Sequence, residues 1–303
     1  MYELLIIGGG PAGMTAAVYA ARKKMNALLI TKEFGGQPMW TMEIENYMGY
    51  QFITGPELMA KFEEQVQRFA TPIKYEEIVQ LRRNDDGSFT LASDEGNEYQ
   101  AKSVIIASGK RPRRLEVPGE EEFTGRGVSY CATCDGPLFA GKSVAVIGSG
   151  NSAVQAAIEL GGVAERVYLV VRRRYRADAI LMDKLRALDN VVELVGYVAK
   201  EIVGGQVVEK FIISQTEGNE TKELAVQGVF IEIGLKPNSE FVESLVKLNG
   251  EREIAVDCTT GTGIPGLFAA GDVNNGPDKQ IVIAAGDGAK AALMAYNYVL
   301  RHA

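Results

Sequence analysis

Cys131-Ala132-Thr133-Cys134, with Asp135 directly behind it, is where this sequence can do chemistry. Two cysteines separated by two residues can close a disulfide within one turn and pass it on through a mixed disulfide. The first thiol gains thiolate character if it lies near a helix start or a cation. Such exchange needs a proton carrier. His302, the single histidine, stands within the last two residues, where chain ends fray, so Asp135 becomes the candidate by elimination. Its competing reading is a cap for the following turn. Zinc would need four ligands, and beyond the pair the chain offers only Cys258 and His302, so no metal is expected. Cys258 stands alone and reads as inert.

The elements that must position this pair are two copies of one pattern. Glu3-Leu-Leu-Ile-Ile-Gly8-Gly-Gly10-Pro11-Ala12-Gly13 is an apolar run breaking into glycines, followed by an Ala-rich helical stretch from Met14 to about Lys24 and a second strand from Ala27 to Thr31. Gly8 permits the turn, Gly10 lets backbone approach a pyrophosphate, and Gly13 lets helix and strand pack closely. An acidic residue to hold a ribose is missing where that strand is expected to end: Thr31 and Lys32 stand there, with Glu33 next. The pattern returns at Ser143-Val-Ala-Val-Ile-Gly148-Ser-Gly150-Asn151-Ser152-Ala153, with a following strand from Arg166 to Val171. Two fingerprints imply two dinucleotides. After the second unit's second strand come Arg172, Arg173 and Arg174, then Arg176, in place of a ribose-binding carboxylate. A guanidinium suits a 2′-phosphate, which favours NADPH over NADH.

Between the fingerprints, Thr54-Gly-Pro-Glu57 offers a capping box before a packing helix marked by Leu58, Phe62, Val66 and Phe69. Turns at Asp85-Asp86-Gly87 and Asp94-Glu95-Gly96 separate short strands, and the apolar run Val104–Gly109 closes onto the first sheet. Lys110, Arg111, Arg113 and Arg114, beside Pro112 and Pro118, read as a solvated linker. Near the C-terminus, Phe268-Ala-Ala-Gly271-Asp272 is a short strand ending in Gly-Asp, and Gln280 to Leu300 reads as a long helix. The chain is thus expected to return to its first domain.

The 303 residues, 46% hydrophobic and 23% charged, suffice for two ordinary globular domains without disulfide staples. A net charge of -7 argues against a general nucleic-acid or membrane-surface function. With no basic leader and no long apolar run, a reducing, cytoplasmic location is expected.

Taken together, Gly8–Gly13, Gly35-Gly36-Gln37, Glu45-Asn46, Cys131–Asp135, the glycine turn at 148–153 and Gly271-Asp272 make the chain resemble, along its whole length, the low-molecular-weight thioredoxin reductases. The resemblance implies an α/β fold of two Rossmann-like three-layer dinucleotide-binding domains, the second inserted in the first. An FAD domain would comprise 1–113 and 244–303, and an NAD(P)H domain carrying the dithiol 114–243. It further implies that Gly8, Gly10, Pro11, Ala12 and Gly13 wrap the FAD pyrophosphate, with Gly36, Gln37 and Asn46 near the ribityl chain and flavin. Gly109, Gly271 and Asp272 join that site, and Lys279, Gln280 and Ile281 lie near the isoalloxazine. Gly148, Gly150, Asn151, Ser152 and Ala153 would hold NAD(P)H. Cys134 would face the flavin, Cys131 would attack the outgoing disulfide, and Asp135 matches the family's acid. The resemblance implies a homodimer whose domains alternate by rotation, with hinges near Val117-Pro118-Gly119 and Gly234-Leu235.

Phe34-Gly-Gly-Gln-Pro, Cys134-Asp-Gly-Pro-Leu-Phe139 and Lys279-Gln-Ile-Val-Ile283 are also similar to the flavoprotein subunit of alkyl hydroperoxide reductase, which carries an extra N-terminal dithiol segment. Because this chain starts at the first strand, electrons are expected to leave to a separate thioredoxin or thioredoxin-like protein. One departure from the thioredoxin reductases is Val171-Arg172-Arg173-Arg174-Tyr175-Arg176, where that family has His-Arg-Arg and a later Arg. The expected activity is thioredoxin-disulfide reduction. The alternatives are an NADH-dependent reductase of a peroxiredoxin-linked carrier, a ferredoxin-NADP reductase or NADH oxidase with an incidental dithiol, and a non-catalytic redox sensor.

Overall fold

The computed structural model describes residues 1–40, 44–218 and 220–302, with Trp40 and Cys134 described by their backbone alone. The chain opens with β1 (Tyr2–Gly9), α1 (Pro11–Arg22), β2 (Ala27–Phe34), α2 (Gly55–Arg68) and β3 (Ile73–Lys74). Then come β4 (Ile78–Arg83), β5 (Phe89–Ser93), β6 (Glu98–Ile106), β7 (Lys110–Pro112), α3 (Glu120–Phe123), β8 (Val128–Ser129) and α4 (Ala132–Asp135). The second module runs β9 (Ser143–Gly148), α5 (Asn151–Gly161), β10 (Arg166–Val171), α6 (Ala179–Arg186) and β11 (Val191–Val195). It continues through β12 (Tyr197–Gly204), β13 (Val208–Gln215), β14 (Thr221–Ala225) and β15 (Gly228–Glu232). The last elements are β16 (Leu235–Pro237), β17 (Leu267–Ala269) and α7 (Ile281–Arg301).

Two compact units result: Met1–Arg111 with Lys236–Ala303, and Pro112–Leu235. In the first, parallel strands order β3-β2-β1-β6 and an antiparallel meander β6-β5-β4 extends the same sheet, with β17 pairing β6. The run Leu4-Leu-Ile-Ile7 is apolar throughout because a parallel strand is buried on both faces. Its residues alternate with period two: Leu4 and Ile6 pack with α1, α2 and α7, while Leu5 and Ile7 pack with Phe89, Leu91 and Ile254 on the other side. The capping box forms, with the Thr54 hydroxyl accepting from the Glu57 amide and the Glu57 carboxylate accepting from the Thr54 amide.

The second unit orders its parallel sheet β11-β10-β9-β15-β8 and covers one face with the antiparallel β12-β13-β14. Val144 and Val146 face α5, and Ala145 and Ile147 face the three-stranded layer. No described helix is long and apolar enough to cross a membrane.

Three expectations about the connections change. Residues 236–243, expected in the inserted domain, lie in the first unit: Ser239 donates to the Arg252 carbonyl and Val242 is in the core with Ile254. Val117–Gly119, expected as a hinge, is built into the second unit, where Ile202 donates its amide to the Pro118 carbonyl and Val117 packs on the core. The basic segment is not a solvated linker. Lys110 forms a largely buried ion pair with Glu253 at 2.9 Å, and Arg111 grips Glu240 through two nitrogens. The missed signal was a partner more than 100 residues away in sequence.

Candidate functional site

In the first unit the glycine turn joins β1 to α1. Gly8 holds φ +111°, a Cβ there would sit 2.3 Å from the Ala107 oxygen, and one at Gly13 would sit 1.8 Å from the Gly8 oxygen, so strand, turn and helix are locked by backbone contact. Gly10 precedes α1 without a side-chain cap, Pro11 and Ala12 form the first turn, and space beside Gly10 is open to at least 4 Å. This is a cradle with unpaired helix N–H groups facing it.

Other expected residues gather on the same side. Gly36 comes within 3.7 Å of Gly10 Cα as measured from a virtual Cβ, Gln37 Nε2 donates to Asp272 Oδ2 at 3.1 Å, and Asn46 Nδ2 donates to Gln280 Oε1 at 3.1 Å. Gln280 is the N-cap of α7 and Ile281 its first residue. Gly271 packs on Ala12, and Gly109 accepts from the Asn238 amide. Asp272 is pushed up from the usual carboxylate range by burial, against the pull of Lys279 and the hydrogen bond from Gln37. Lys279 donates to the Asn274 carbonyl and pairs with Glu253 at 3.1 Å.

Sequence reasoning missed Glu253, which ties Lys110 to Lys279, and Asp287, whose carboxylate accepts from Asn274 Nδ2 and the Gly271 amide. The available signal for the second was Gly286-Asp287-Gly288 inside a helix, where glycine is otherwise costly. The end of the first module's second strand also shifts from the expectation. β2 runs to Phe34 and not to Thr31, so Glu33 stands exposed at the strand's carboxyl end.

In the second unit, Gly148 ends β9 and Gly150 precedes α5, again uncapped and beside open space. Asn151 is held by Asp178 in a reciprocal pair of 2.9 Å bonds, Ser152 is exposed, and Ala153 is fully buried against the turn. Arg172, Arg173 and Arg174 follow β10 as an exposed bend, and among the described residues none of the three is in an ion pair. Arg176 is drawn onto the glycine turn, its amide donating to the Ser149 carbonyl at 2.7 Å.

Cys131 is disulfide-bonded and sits between β8 and α4, with the Ser129 hydroxyl accepting its amide at 3.0 Å. The role expected of the Cys134 side chain lies outside the described residues. Asp135 closes α4 and precedes the next turn without capping it by its side chain, so its carboxylate is not spent on that turn. Thr133, between the cysteines, donates its hydroxyl to Glu159 of α5 at 2.8 Å. Cys258 is a free, exposed thiol.

Two nucleotide cradles and a disulfide have counterparts among known proteins. Residues 2–288 match the profile described as pyridine nucleotide-disulphide oxidoreductase. The chain belongs to that family. Its structural neighbours in the pyridine nucleotide-disulphide oxidoreductases include the thioredoxin reductase of Lactococcus lactis in its FR conformation, with a TM-score of 0.89 and 39% identity over 99% of this chain and 100% of that one. Curated relatives include a subunit of the alkyl hydroperoxide reductase of Pseudomonas putida, 43% identical over 99% of this chain, and an NADH dehydrogenase of Bacillus subtilis, 42% identical over 99%. The chain spans 58% and 59% of the length of those two relatives. The fold is that of a thioredoxin-reductase-like flavoprotein oxidoreductase, and membership of the family implies sites for FAD and NAD(P)H. The two open glycine cradles, each at an uncapped helix N-terminus of eleven or twelve residues, fit the two dinucleotides.

Proposed function

We propose that the protein is an NAD(P)H-dependent thioredoxin-disulfide reductase working through Cys131 and Cys134. The observation that carries this reading is the disulfide at Cys131, placed in the same unit as the second glycine turn. FAD supplies the relay that accepts hydride from the nicotinamide and delivers an electron pair to a disulfide. The turn Gly8–Gly13 would hold its pyrophosphate on the α1 N–H groups, with Glu33 accepting from the adenosine ribose. Gly36, Gln37, Asn46, Gly109, Gly271, Asp272, Lys279, Gln280 and Ile281 complete that binding surface. Gly148, Gly150, Asn151, Ser152 and Ala153 bind the nicotinamide dinucleotide, and Arg172, Arg173, Arg174 and Arg176 favour NADPH by pairing with a 2′-phosphate. Cys131 exchanges with the outgoing disulfide, Cys134 takes the flavin-proximal position, and Asp135 carries a proton.

The acceptor is a thioredoxin or thioredoxin-like protein, and the enzyme assembles as a homodimer. Support for the acceptor comes from the co-extensive match to a thioredoxin reductase. The similarity to the alkyl hydroperoxide reductase of Pseudomonas putida favours a second reading, an NADH-linked reductase of a carrier that serves a peroxiredoxin. Steady-state rates with each nucleotide against thioredoxin and against such a carrier separate the two. Cys134→Ser is expected to leave FAD bound and reducible by NADPH while abolishing disulfide reduction; more than a trace of remaining turnover refutes the electron path.

A further inference from the structure

Asp178 is the N-cap residue of α6, where an aspartate commonly accepts a hydrogen bond from an amide of the first turn. Its side chain makes no such bond. The carboxylate instead accepts from Asn151 Nδ2 at 2.9 Å, and the Asp178 amide donates back to Asn151 Oδ1 at 2.9 Å. Asn151 is the first residue of α5, directly after Gly150 and the open space beside it. The pair therefore closes the arginine-bearing segment 172–178 onto the second cradle.

The same segment is attached at further points. The Arg176 amide donates to the Ser149 carbonyl at 2.7 Å, and Arg176 Nε donates to the Ser149 hydroxyl oxygen at 3.4 Å. Tyr175 and Ala177 are half-buried and pack on the core of the second unit, while Arg174, Arg176 and Asp178, which alternate with them, are exposed. That alternation has the period of two of extended chain, so the two guanidiniums lie on the same edge as the carboxylate bonded to Asn151. Among the described residues no ion pair joins Asp178 to these arginines, so it holds them through the backbone and not by its charge.

We infer that Asp178 is a positioning residue for nucleotide choice: through Asn151 it fixes Arg174 and Arg176 against the glycine turn, and so sets the second cradle's preference for a 2′-phosphate. The inference rests on the 2′-phosphate reading of the arginines above. The physical reason is distance. In one nucleotide the pyrophosphate and the 2′-phosphate are joined through a single ribose, so a cradle that takes the first and guanidiniums that take the second gain from both only if the gap between them is held. A loose segment would have to be ordered at each binding event, at a cost in backbone and side-chain entropy. Tied at Ser149 and Asn151, this one is ordered before the nucleotide arrives. The Asn151 side chain is turned to Asp178, which leaves its main-chain N–H, at the first position of α5, for the nucleotide.

The test uses the FAD-loaded protein, whose first cradle is then filled, and measures binding of adenosine 2′,5′-bisphosphate and of adenosine 5′-monophosphate by titration calorimetry. Wild type is expected to bind the bisphosphate more tightly. Asp178→Ala should reduce that preference by about tenfold, the scale of one charge-assisted contact, with the monophosphate bound as before. Asp178→Asn keeps an oxygen for Asn151 Nδ2 while losing the charge, and should retain the wild-type ratio. Asn151→Ala should lose as much preference as Asp178→Ala, and the double variant no more than either alone, because all three break one link. An unchanged ratio in Asp178→Ala, an equal loss in Asp178→Asn, weakening of both nucleotides together, or losses that multiply in the double variant each overturns the inference. A wild type with no preference for the bisphosphate refutes the 2′-phosphate role of the arginines themselves, and the inference with it.

Discussion

Arg172, Arg173 and Arg174 are exposed and, among the described residues, without a carboxylate partner, whereas Arg111 and Lys110 are each committed to one. A guanidinium with no structural partner is free for a ligand phosphate, and a charge-assisted contact of this kind is worth about 1.5–3 kcal/mol. Replacing both Arg172 and Arg173 by Ala is therefore expected to raise KM for NADPH by about tenfold or more while KM for NADH changes little. Equal changes for both nucleotides in steady-state assays would refute a 2′-phosphate role. Types and spacing alone brought attention to these arginines and to Cys131 and Asp135, because each chemistry there is local. Glu253 escaped the same reading: it is an ordinary acid until the fold brings Lys110 and Lys279 onto it.

At the scale of elements, boundaries decided more than identities. Ending β2 at Thr31 left Glu33 outside the strand, and three more strand residues put it near the carboxyl end, where a ribose-binding acid is proposed. α7 shows the opposite case, a helix legible from its Ala-rich composition whose two glycines have different jobs. A Cβ at Gly288 would meet the Ala12 carbonyl oxygen at 2.0 Å, while one at Gly286 meets nothing within 4 Å. Gly288 thus sets how closely α7 approaches the first turn of α1, the turn proposed to carry FAD. Gly288→Ala is expected to cost about 1–3 kcal/mol by overpacking and to release FAD, seen as flavin absorbance lost on gel filtration. Gly286→Ala should keep the flavin and stabilise slightly, by about 0.5–1 kcal/mol from helix propensity, in a thermal melt.

Across the whole molecule the ion pairs of the first unit tie distant segments of the chain together. Burial pushes Glu253 up, but hydrogen bonds from Lys110, Asn249 and Lys279 outweigh it and leave the group at about 2, against 4.5 ordinarily. Glu240 is held at about 2 by its hydrogen bonds from Arg111, against the opposing effect of burial. A carboxylate depressed in the folded state contributes its full stability above the unfolded value and loses it as pH falls through the folded one. Stability is therefore expected to decline between pH of about 4.5 and about 2. Glu253→Gln should be less stable at pH 7, having left Lys110 and Lys279 without their carboxylate, and should show a shallower decline across that window. Denaturant midpoints measured against pH check both; an unchanged slope would remove Glu253 from the acid response.

The sequence alone determined the two glycine turns, the dithiol, the capping box of α2 and the long C-terminal helix, since each is written in residues a few positions apart and governed by local geometry. Tertiary structure decided where the chain crosses between its units and that residues 236–243 return to the first. It drew Lys110 and Lys279 onto Glu253 and set Glu232 opposite Gly148. These depend on strand order and register, and a parallel sheet joins strands separated by tens of residues, so no window of sequence contains both partners.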